Sequence, residues 1–112
     1  MAEQIQIMDK QLEEFLHMME VSLRSGYNIR QSLEIICNDG SAPLVAVVQP
    51  LLDDLDGGTP LPDVLDNWLA RQPTRDLDMI VGAFHVQFES GGNLANKLQF
   101  LAQLLPKLKH VA

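Results

Sequence analysis

The residues able to do chemistry in this chain are few. They are an acidic run, Asp53-Asp54-Leu55-Asp56-Gly57-Gly58, the histidines His17, His85 and His110, and a lone cysteine, Cys37. The acidic run looks like the opening of a calcium loop, which needs a glycine at its sixth position and a bidentate glutamate at its twelfth. Counted from Asp54, the glycine comes too early and the twelfth position is Leu65. Asp53, Asp54 and Asp56 are therefore weak metal candidates that read more simply as a solvated helix end. His85 and Glu89 stand four residues apart and share a helix face, but two ligands do not close a zinc site. Cys37 sits in the apolar run Leu33-Glu34-Ile35-Ile36-Cys37, where a small hydrophobe is expected rather than a nucleophile. A single cysteine makes no intramolecular disulfide and fits a reducing compartment.

Larger catalytic signatures fail as well. A histidine phosphotransfer domain needs His followed by Lys-Gly, whereas His85 is followed by Val86-Gln87-Phe88-Glu89. An acyl carrier needs Asp-Ser-Leu at a helix start; Ser32-Leu33 lacks the Asp and lies inside a helical stretch. No nucleophile elbow or phosphate loop is present, so no catalytic residue and no cofactor is expected. The net charge of −7, with eight scattered Lys and Arg, excludes nucleic acid as a partner, because phosphate binding needs a basic patch. It disfavours an anionic membrane surface for the same reason. A protein partner with a basic patch remains compatible.

The elements that must position these residues are helical throughout. Leu12, Phe15, Leu16, Met19 and Leu23 recur at helical spacing, with Glu13, Glu14, Glu20 and Arg24 mostly off the stripe. Similar stripes follow: Ile29, Leu33 and Ile36; Leu44, Val47, Val48, Leu51 and Leu55; Leu61, Val64, Leu65, Trp68 and Leu69; Leu77, Ile80, Val81, Phe84 and Phe88; Leu94, Leu98, Leu101, Leu105 and Leu108. Leu44–Val48 has strand propensity and Pro50 should kink its helix, but no second strand is available for pairing. Pro106 should bend or fray the last helix. Asn38-Asp39-Gly40-Ser41 is turn chemistry, and Pro43 suits the first turn of the third helix.

The punctuation repeats. Gly-x-x-(Ile/Leu)-x-x-x-Leu begins at Gly26, Gly58 and Gly91, at intervals of 32 and 33 residues. Gly26, Gly58, Gly91 and Gly92 are read as left-handed helix ends. Asn28, Thr59 and Asn93 are read as caps of the helices that follow, with Thr74 capping the fifth. The prediction is an all-α fold: a compact bundle of about six helices built from helical hairpins with a pseudo-repeat. Tetratricopeptide and ankyrin signatures are missing despite the period. The chain, 1–112, reads as one domain. Its longest apolar stretch, residues 43–52, is broken by Gln49 and Pro50 and is too short to span a bilayer. The N-terminal residues have no signal-peptide pattern, so the chain is expected to be soluble.

An ordered series of residues then narrows the family. Leu23 to Leu33, Pro43-Leu44, Leu51-Leu52 with Leu55 and Gly57, Leu61 with Val64-Leu65, and Phe88-Glu89-Ser90-Gly91-Gly92-Asn93-Leu94-Ala95 with Leu98 resemble the cytoplasmic F domain of type II secretion and type IV pilus assembly. The last stretch is most similar to the tight-adherence pilus branch. The resemblance covers residues 12–105. It implies a non-enzymatic protein-interaction domain of an inner-membrane platform protein, on the cytoplasmic side, that couples an assembly ATPase to pilin or pseudopilin assembly. The implied partners are that ATPase, other platform subunits and further copies of the chain, with membrane attachment through segments not found in this sequence. The competing reading is a metal- or ligand-binding regulatory domain using Asp53, Asp54 and Asp56, or His85 with Glu89.

Overall fold

The computed structural model describes the backbone over residues 2–111 and the side chains over residues 9–108. It contains α1 (Ala2–Arg24), α2 (Ile29–Asp39), α3 (Ala42–Asp56), α4 (Leu61–Arg71), α5 (Arg75–Ser90) and α6 (Leu94–Val111), with no strand among the described residues. The radius of gyration is 13.3 Å, close to the ~13 Å of a packed domain of about this length.

The stripes meet in one core of Leu, Ile, Val and Met with few aromatic residues. Phe15 of α1 is its hub. Fully buried, it meets the Trp68 ring of α4 edge-on at 5.3 Å and the Phe84 ring of α5 at 6.4 Å. α1 also packs on α2, α3 and α6, so the first helix touches every other element of the bundle. Arg24, the last residue of α1, bonds Asn96 Oδ1 and Gln99 Oε1 in the first two turns of α6, each at 3.0 Å. The first and last helices therefore pair antiparallel.

Two junctions share one geometry. After α1, Gly26 N–H donates to Leu23 O and Tyr27 N–H to Ser22 O; after α3, Gly58 N–H donates to Leu55 O and Thr59 N–H to Asp54 O. With φ of 98° at Gly26 and 100° at Gly58, both are Schellman closures, which need a residue in the left-handed region. The third copy is built differently. Gly91 N–H donates to Gln87 O, and the carbonyls of Gly91 and Gly92 are bound by the side chains of Lys97 and Gln87, at 2.8 and 3.0 Å.

Several expectations need correction. Thr59 does not cap α4: its N–H completes the Schellman closure, Pro60 takes the cap position, and no side chain caps that helix. Pro50, expected to kink α3, lies inside a helix that runs on to Asp56. Pro50 and Ala46 both lie on the exposed side, so the carbonyl left without its i+4 partner faces water at little cost. α6 likewise continues through Pro106 to Val111. Phe88 is not fully inward; it is 37% exposed while leaning on the Phe84 and His85 rings.

Candidate interaction surface

The residues singled out for chemistry are not brought together. Asp56 faces Arg30, whose Nη2 lies 2.6 Å from Asp56 Oδ1, and Glu34 completes the cluster. The hydrogen bond and charge of Asp56, with help from Glu34, raise the Arg30 guanidinium above its ordinary range. Asp53 accepts a bond from Gln49. Among the described residues no group of three or more His, Cys, Asp or Glu is placed to hold a metal ion. His85 turns from Glu89 to Asp66 of α4, with Nε2 and Oδ1 2.7 Å apart. That partner is nineteen residues away and only the packing of α4 on α5 supplies it. His17 is exposed on α1, and His110 lies outside the described side chains. Cys37 is half-buried; burial first, then the charges of Asp53 and Glu34, push its thiol pKa up. That is the opposite of what an activated nucleophile needs.

The junction residues hold helix ends. Asn28 Oδ1 accepts from Gln31 N–H at 2.8 Å, while Gln31 Oε1 accepts from Asn28 N–H at 2.9 Å, a reciprocal capping box. Asn93 Oδ1 accepts from Asn96 N–H at 2.9 Å. A hydroxyl partner that sequence spacing could not reveal joins α1 to α3: Glu14 accepts from the backbone and the hydroxyl of Ser41, the cap of α3.

What the surface offers instead is an open groove between α5 and α6 with a volume of about 540 Å³. Met79, Gly82, Ala83 and Val86 form its α5 wall, at steps of three, one and three residues. This is a second apolar stripe on α5, separate from the Leu77, Ile80, Val81 and Phe84 stripe that faces the core. Phe100 and Leu101 of α6 form most of the other wall, with Lys97 and Asn96 at one end. Val86 is 48% exposed and Phe100 61%. Gly82 lies mid-helix, where glycine costs about 1 kcal/mol relative to alanine. A Cβ there would meet nothing within 4 Å, so no contact inside the chain accounts for the missing methyl. The groove holds no group suited to bond-making; its chemistry is burial of apolar area against another surface.

With that geometry in place, the family is decided by one match. The model of protein F of the type II secretion system matches residues 15–109. The chain belongs to the type II secretion system protein F family. The match begins at Phe15, the core hub, and takes in the three glycine junctions and the α5–α6 groove. No curated protein and no solved structure matches the chain. Among the described residues of this protein F domain no helix is long and apolar enough to cross a membrane.

Proposed function

We propose that this protein F domain is a non-enzymatic interaction module of an inner-membrane platform for type II secretion or type IV pilus assembly. It works on the cytoplasmic face, where it couples the assembly ATPase to pilin or pseudopilin assembly through contacts with the ATPase and neighbouring platform subunits. The observation that carries this reading is the family match over residues 15–109, which takes in nearly all of the packed core. The geometry is compatible: the described surface offers an apolar groove walled by Phe100 and Val86. The run Glu89-Ser90-Gly91-Gly92-Asn93-Leu94-Ala95 supports the tight-adherence branch in particular. Of the three repeated glycine junctions, it builds the one that departs from the Schellman pattern and is held by Gln87 and Lys97.

The test is a pull-down with the immobilised chain against the purified ATPase and platform subunits of the same secretion or pilus system. Capture of at least one of them at about micromolar affinity is expected. Capture of none overturns the reading.

A further inference from the structure

We infer that the α5–α6 groove is a docking site for an acidic amphipathic helix of another protein. Its walls are apolar, and Phe100 and Val86, 61% and 48% exposed, are left uncovered by the chain itself. Gly82 opens the floor on the α5 side, where nothing stands within 4 Å of the place of a Cβ. A large apolar side chain of a visiting helix fits there, in the helix-in-groove manner.

Charge decides what kind of helix. The chain as a whole carries −7, yet α6 contains no Asp or Glu. Lys97, Phe100, Leu104 and Lys107 follow one another at steps of three, four and three residues and so share one face. A cation therefore stands at each end of the Phe100–Leu104 surface. Lys97 is held by two neutral acceptors, Gly91 O and Gln87 Oε1, which fix its position without cancelling its charge. Two of the three carboxylates of α5 keep clear of this face, and the third, Asp76, three residues before Met79, is buried in the first turn of the helix. Asp78, His85 and Glu89, spaced by seven and four residues, line the opposite flank, where His85 meets α4. An apolar stripe edged by Asp or Glu complements this arrangement. A second copy of the chain does not. Pairing groove to groove would bring the lysines of the two copies, Lys97 and Lys107 of each, together across the contact.

The inference rests on the platform reading for what the groove serves, though not for its geometry. It is tested by fluorescence anisotropy with a labelled helical peptide that has leucines at positions 4, 8 and 11 and glutamates on both edges, against a counterpart with lysine for each glutamate. The acidic peptide is expected to bind about tenfold more tightly, as a few exposed charge pairs would give, and to weaken as salt is raised. Gly82→Leu fills the groove and should cut the affinity about tenfold or more. It replaces a poor helix former by a good one, so loss of fold does not account for the result. Tyr27→Ala, at an exposed aromatic ring elsewhere, should leave binding unchanged. Equal binding of the two peptides, or undiminished binding by Gly82→Leu, overturns the inference. So does a dimer in analytical ultracentrifugation that Gly82→Leu dissociates. In the pull-down above, a Gly82→Leu chain that captures the platform subunits as well as wild type rejects this face and leaves the platform reading intact. A wild-type chain that captures none rejects the platform reading, and the peptide comparison still decides the face.

Discussion

Gly26 and Gly40 should both resist substitution, for reasons that one further variant at each position separates. At Gly26 the backbone has φ of 98° and a Cβ would meet nothing within 4 Å. The cost of Gly26→Ala is therefore conformational, about 1–2 kcal/mol for the left-handed region, offset by about 0.4–1 kcal/mol from a less flexible unfolded chain. At Gly40, φ is −72° and ψ 166°, an ordinary extended conformation. There a Cβ would lie 2.6 Å from the carbonyl oxygen of Ile36, the same oxygen that accepts the Gly40 N–H at 2.7 Å. Ile36 is fully buried, so that carbonyl has little room to retreat. Gly40→Ala should cost about 1–3 kcal/mol as an overpacking change, through a lengthened capping bond and a displaced Ser41. Asparagine tolerates the left-handed region but carries the same Cβ. Gly26→Asn should then recover about half of the alanine loss, and Gly40→Asn none of it. Urea unfolding followed by circular dichroism measures all four variants, with the slope against denaturant unchanged from wild type. Recovery at position 40 equal to that at position 26, or a Gly40→Ala cost below about 0.5 kcal/mol, would refute the steric account.

Three further outcomes follow from the core. Phe15→Ala should lose about 3–5 kcal/mol, much of the ~6–17 kcal/mol expected for a domain of this length; thermal or urea unfolding measures it, and a loss below about 1.5 kcal/mol would deny Phe15 its place as hub. Ser32 is fully buried and its hydroxyl has no partner, so Ser32→Ala should be neutral or stabilise by about 1 kcal/mol; clear destabilisation in the same assay would show that the hydroxyl is satisfied. Cys37, its thiol pKa raised by burial, Asp53 and Glu34, should alkylate with iodoacetamide more slowly at pH 8 than free cysteine. The raised pKa means the folded state holds the thiol proton more tightly than the unfolded one. The associated stability is therefore present below the ordinary thiol range and lost as pH rises through the folded value. Alkylation as fast as free cysteine at pH 8 would contradict the burial.

The helices were legible because each carries a stripe long enough to read, and Leu77–Phe84 buries the residues its spacing predicts. Their ends were less so. Gly26 and Gly58 mark Schellman closures, but the need for glycine at Gly40 comes from the oxygen of Ile36, a clash no turn signature announces. Thr59-Pro60 looks like a cap and first turn, yet a closure at Gly58 leaves Thr59 with its N–H already engaged by Asp54 O. That α3 carries Pro50 without ending follows from the exposed side on which Ala46 and Pro50 lie, which sequence does not state. His85 pointed to Glu89 on its own helix, while its partner Asp66 arrives only when α4 docks. The groove escaped sequence reading altogether. Met79, Ala83 and Val86 merely widen the apolar arc of α5, and which part of that arc stays uncovered depends on where α6 lies.

The antiparallel pairing of α1 with α6 has a mechanical consequence. The N-terminal end of α1 and the C-terminal end of α6 lie at one end of the pair, and the Arg24 clasp on Asn96 and Gln99 closes the other. Tension drawn through both ends therefore acts as a peel. It opens the pair turn by turn, loading a few side chains at a time, and reaches Arg24 last. The same force applied across α1 and α5 would have to shear the rings of Phe15, Trp68 and Phe84 past one another at once. The fold is thus soft to a pull through the outer ends of α1 and α6 and stiff across its waist.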